Sequence, residues 1–99
     1  MSNLAESIIL QGVMLSNGFN AIVYPVPATD FCTVSVDETE PADYTVSLVN
    51  ADGKTVYSRT IARACKLDET IQLKNIARGT YVLTVSSRKG TNSTTVIVK

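Results

Sequence analysis

The chain has no histidine and no tryptophan, and its 99 residues include only two cysteines and three prolines. Without histidine it lacks the side chain that titrates near neutrality, and with it the usual general base and the commonest metal ligand. A cysteine or serine nucleophile would have no imidazole to activate it, so the ordinary hydrolase constellations are excluded. Cys32 and Cys65 are too few for a zinc site or a disulfide framework. A single bridge between them can form in an oxidising compartment, although Cys32 alternates in phase with Val34 and Val36, as a small buried hydrophobe does. Four tyrosines and two phenylalanines, mostly in phase with core positions, do not make the planar aromatic row of a carbohydrate-binding module.

Basic residues are missing from the first 53 positions. Seven acids stand there (Glu6, Asp30, Asp37, Glu38, Glu40, Asp43, Asp52), giving −7. Residues 54–99 hold all nine basic residues against Asp68 and Glu69, giving 9 − 2 = +7 and a net charge of +0. Such a dipole draws the two parts together within one fold or steers a charged partner to one face. Solvated charges on interleaved strands are the simpler outcome, and a chain without net positive charge is not expected to bind nucleic acid. No long apolar run is present either. Ser7 to Leu15 is interrupted by Gln11 and Gly12, is too short to span a bilayer and lacks a basic leader. The expectation is a cytoplasmic protein or the C-terminal piece of a longer precursor whose signal lies elsewhere.

What is there reads as β structure. Hydrophobic residues make up 44% and charged residues 18%, enough for one folded domain with an ordinary core. Ser16-Asn-Gly18 is a turn signal. Phe19 to Tyr24 reads as a strand, which Pro25 and Pro27 end because neither can donate to a ladder. Phe31 to Asp37 follows as a strand, then the acidic run Asp37–Asp43 as a solvated loop whose spacing does not match a calcium-binding loop. Tyr44 to Val49 and Lys54 to Ile61 are expected to be partner strands joined by a turn in which Asp52 bonds its own backbone and Gly53 takes positive φ. Ala62 to Asp68 reads as a polar connector and Thr70 to Leu73 as a short strand. Ile76 to Lys99 then reads as a closing hairpin, with Tyr81, Leu83 and Val85 on one face. About seven strands with regular turns and no helical periodicity predict an all-β fold, an immunoglobulin-like antiparallel β-sandwich. Tyr44, Val46, Leu48, Ile71, Leu73, Leu83 and Val85 are the expected core.

The order of these features carries a resemblance. Ile22-Val-Tyr-Pro-Val-Pro27, Val46-Ser-Leu-Val-Asn-Ala-Asp-Gly-Lys-Thr-Val56, Ile71-Gln-Leu73, Ile76-Ala-Arg-Gly-Thr-Tyr-Val-Leu-Thr-Val85 and the terminal Val96-Ile-Val-Lys99 together resemble the C-terminal sorting domain of proteins exported by the type IX secretion system of Bacteroidetes-type bacteria. The family usually has Asn between the two prolines, where this chain has Val26. The resemblance implies a non-enzymatic label without cofactors on residues 20–99. Such a label is carried from the periplasm through the outer membrane to the cell surface, where a cysteine protease of the secretion machinery, sortase-like in its role, removes it. Residues 1–19 are then passenger remnant, linker or cleavage region, with an extra strand as an alternative. The expected recognition residues are Gly79, Tyr81, Val96, Ile97, Val98 and Lys99, and the expected turn motifs are Tyr24-Pro25, Pro27 and Asp52-Gly53. A closing strand can present its backbone to a receptor by strand addition. Free edges of such a sandwich can also pair with a copy, which predicts a strand-exchanged homodimer. The competing reading is a non-catalytic binding or adhesion module of a secreted protein.

Overall fold

The computed structural model describes residues 12–25, 28 and 30–99. Val26, Pro27 and most of the 1–19 segment therefore lie outside the described residues. The chain forms six strands, β1 (Val13–Ser16), β2 (Asn20–Tyr24), β3 (Phe31–Asn50), β4 (Thr55–Gln72), β5 (Gly79–Ser87) and β6 (Gly90–Val98), all paired antiparallel. There is no helix among the described residues.

The expected count of seven becomes six because two strands are far longer than the sequence pattern indicates. β3 runs for 20 residues and β4 for 18. The first part of β3 pairs with β2 and with the end of β4 (Phe31↔Gln72 to Asp37↔Lys66). Its second part pairs with the start of β4 (Tyr44↔Ile61 to Val49↔Thr55) and with β5. Between these parts the ladder slips at Asp37/Ala42 and again at Ala42/Tyr44, and Arg63 adopts φ 51. Bulges of this kind bend a strand sharply without ending it. Both long strands therefore pass from one layer to the other, giving a layer β1-β2-β3-β4 that faces a layer β4-β3-β5-β6.

The acidic run and the Ala62–Asp68 segment, expected as a loop and a connector, form this bend inside β3 and β4. Hydrogen bonds, mostly to backbone groups, and one ion pair hold it. Asp43 Oδ1 accepts from the Arg63 N–H at 2.9 Å, and Arg88 donates to the Pro41 carbonyl at 3.1 Å. Lys89 Nζ donates to the Glu40 carbonyl at 2.9 Å and lies 3.6 Å from Glu38 Oε1. The acidic first part and the basic second part of the sequence meet at this corner.

The period-two positions face inward as expected. Tyr44, Val46, Leu48, Ile71, Leu73, Leu83 and Val85 are all buried, alongside Val23, Val34, Val36 and Cys32. Phe19 stands edge-on to Tyr44 with ring centroids 5.2 Å apart, a favourable aromatic geometry that joins the β1–β2 turn to the core of β3. Outward positions on the second layer carry hydroxyls instead. Across its four strands Thr60, Thr45, Ser86 and Thr91 fall in one row, and Ser58, Ser47, Thr84 and Ser93 in the next.

Candidate functional site

The terminal strand was the expected display element, and β6 divides it by phase. Val96 and Val98 point into the core, whereas Ile97 is 45% exposed and Lys99 is exposed. Tyr81, on the neighbouring β5, is buried and its hydroxyl donates to the Ala77 carbonyl. Gly79 opens β5 at φ 149, a conformation that L side chains rarely adopt, with nothing within 4 Å of where a Cβ would stand. Glycine is required there by the backbone and not by crowding. Gly79, Tyr81, Val96 and Val98 are thus structural in placement, and only Ile97 and Lys99 of this group offer side chains to a partner.

The edge of β6 is occupied at both ends. Ala28 pairs with Val98 as a parallel bridge, donating its N–H to the Ile97 carbonyl at 2.9 Å and accepting from Lys99 N at 2.8 Å. Asn17 Nδ2 donates to the Thr91 carbonyl at 2.8 Å. Near Asn17, Gly18 and Gly90 let two turns touch. A Cβ on Gly18 would stand 2.0 Å from the Lys89 carbonyl oxygen, and one on Gly90 would stand 2.4 Å from that of Asn17. Buried Asn92 completes the junction, donating from Nδ2 to the Phe19 carbonyl at 3.0 Å. Asn17 belongs to the Ser16-Asn-Gly18 turn signal, whereas Ala28 does not stand out in the sequence. A polar residue at an inward position of β6, such as Asn92, is a second signal.

The turn motifs are placed at the surface. Tyr24 is 40% exposed and precedes a cis peptide bond to Pro25, while Pro27 lies outside the described residues. Asp52 and Gly53 form the β3–β4 turn, with Gly53 at φ 85. The side chain that organises it is Asn50 and not Asp52. Asn50 Oδ1 accepts from the N–H groups of Asp52 at 3.0 Å and Lys54 at 2.9 Å. Asn50 wins because its oxygen already sits at the head of the turn, where two N–H groups converge.

A polar cluster closes the far side of the sandwich. Glu69 occupies an inward-facing position of β4, largely buried, and accepts from the Tyr57 hydroxyl and from Arg59 Nη1 at 3.2 Å. Burial and the Glu69 carboxylate push the Tyr57 phenol up to about 12. Burial alone pushes the Cys32 thiol up to about 11. Cys32 and Cys65 are free thiols. At the bend, Pro41, Ala42, Asp43, Arg63 and Arg88 line an open depression of about 480 Å³. No group of three or more metal-ligating side chains gathers among the described residues.

The sequence profile of the secretion system C-terminal sorting domain matches residues 22–99, from β2 to the last residue. The chain belongs to this family. A search of curated proteins finds no match. The sorting domain is the C-terminal signal of type IX secretion cargo proteins, so this chain is a signal for the type IX machinery and belongs to a secreted or cell-surface protein. The match takes in the layer-switching β3–β4 pair and the β5–β6 hairpin alike, so the family region coincides with most of the sandwich.

Proposed function

We propose that this sorting domain acts as a folded, non-catalytic export label. It accompanies an attached cargo through the periplasm, is recognised by the outer-membrane secretion machinery, and is removed at the surface by that machinery's cysteine protease. The observation that carries this reading is the family match over residues 22–99, which runs from within β2 through β6. A label needs no active site, and the chemistry of the chain agrees. The sequence has no histidine, and the Cys32 thiol is buried and held protonated. Recognition of a rigid domain needs exposed features on a fixed frame, which Ile97, Lys99 and the charged corner at Arg63 and Arg88 supply.

The test is removal of residues 22–99 from the precursor in its own host, followed by fractionation. The expected result is a passenger that keeps its fold and activity but accumulates in the periplasm. A passenger that still reaches the surface in normal amount overturns the label reading.

A further inference from the structure

The outer face of the β1-β2-β3-β4 layer is apolar at the end where the chain enters it. Met14 stands opposite Ile22 in the β1–β2 ladder, and Tyr24 stands opposite Thr33 in the β2–β3 ladder. Phe31, two residues before Thr33 on β3, is the diagonal neighbour of Tyr24. Met14 is 74% exposed, and Ile22, Tyr24 and Phe31 are exposed as well. Single exposed apolar residues are ordinary, but four that adjoin on one sheet face mark an interaction surface. Beside them a depression of about 340 Å³ crosses β1, β2 and β3 between Met14, Ile22 and Ser35.

The entry of the chain leans toward this face. The backbone bends at Gly12, the residue before β1. A Cβ on Gly12 would stand 2.9 Å from Tyr24 Cβ and 2.8 Å from the Val23 carbonyl oxygen. The backbone thus lies closer to β2 than a residue with a side chain could come, and it turns in over Tyr24 instead of leaving the edge of the layer. Residues 1–11 lie outside the described residues and end at this point. Their last part, Ser7-Ile-Ile-Leu-Gln11, carries three consecutive apolar residues, a run that a water-facing linker does not ordinarily hold. Neighbouring strands are about 4.8 Å apart and an extended chain advances about 3.3 Å per residue, so about three residues cross from β1 to β3. Leu10, Ile9 and Ile8 fall within that reach.

We propose that residues 7–11 fold back across this outer face, and that Ile8, Ile9 and Leu10 cover Met14, Ile22, Tyr24 and Phe31. The occupant is a segment of the same chain, fixed by where that segment ends, by its length and by its apolar run. The family match begins at Ile22, so this strap adds to the sandwich a piece that lies before the matched region. Its packing does not depend on the sorting role.

Paramagnetic broadening of amide signals in the full chain tests this arrangement. A nitroxide is attached at Glu6→Cys in a Cys65→Ser background, where the remaining thiol, Cys32, is buried. The expected loss of signal centres on Ile22, Ser35 and Thr70, while Thr84 and Thr95 of the other layer keep theirs. Changing Ile8→Asp, Ile9→Asp and Leu10→Asp together removes the apolar cover. This variant is expected to recover most of the Ser35 and Thr70 signal with its circular dichroism unchanged. An isotope-labelled wild-type chain mixed with the spin-labelled chain is expected to lose no signal. Broadening confined to Val13 and Tyr24, centred on Thr84 and Thr95, or unchanged by the three substitutions overturns the strap. Broadening in the mixture also overturns it, and would assign the face to a second copy.

Discussion

Tyr44 carries the clearest single-residue conflict in the fold. It is fully buried against Phe19, yet its hydroxyl has no hydrogen-bond partner among the described residues. A buried unpaired hydroxyl costs about 1–3 kcal/mol, whereas its removal leaves the ring packing intact. Tyr44→Phe is therefore expected to hold or raise stability in urea denaturation, and a clear loss would mean that the hydroxyl has a partner. Cys32 and Tyr57 set the behaviour at high pH. Their folded values, about 11 and about 12, lie above the ordinary 9.0 and 10.0, so the folded chain holds these protons more tightly than the unfolded chain. Their contribution is complete below the ordinary values and is lost as pH rises toward the folded ones. Stability is expected to be level from neutrality to about pH 9 and to fall above it, and Cys32→Ala with Tyr57→Phe should flatten that fall. Inward residues such as Val46 and Leu83 were legible from their alternation. Glu69 was not, because it holds an inward position through partners twelve and ten residues away on the same strand.

At the scale of elements, β6 separates packing from display. Val96→Ala removes core atoms and is expected to cost about 0.5–3 kcal/mol in chemical denaturation. Ile97→Ser, on the exposed face of the same strand, should change stability by no more than about 0.5 kcal/mol. If the machinery reads this face, Ile97→Ser lowers surface delivery while leaving the melting curve in place; equal effects of both variants on folding would contradict the assigned phase. Leu83→Ala, buried on β5, should cost about 2–5 kcal/mol. The terminal hairpin was legible because β-branched runs flank a short turn. The continuity of β3 and β4 was not. Pro41 and four acids read as a solvated loop, and contacts from elsewhere in the chain, those of Arg63, Arg88 and Lys89 among them, keep that segment in the ladder. Those partners lie 20 to 49 residues away, beyond the reach of local pattern.

For the whole molecule, hydrogen bonds between the acidic first part and the basic second part of the sequence hold the corner of the sandwich, and the sorting family accounts for its purpose. The order of turns and strands made the family legible, while the covered edge of β6 depends on tertiary contacts that no local motif encodes. The central claim is that residues 22–99, as a folded unit, are sufficient to sort a cargo. Its most direct measurement is surface labelling of an unrelated periplasmic reporter fused ahead of residues 20–99, in a host with the type IX machinery and in the same host without it. The account predicts labelled reporter at the surface only where the machinery is present. A fusion that folds but stays in the periplasm of both hosts would contradict it.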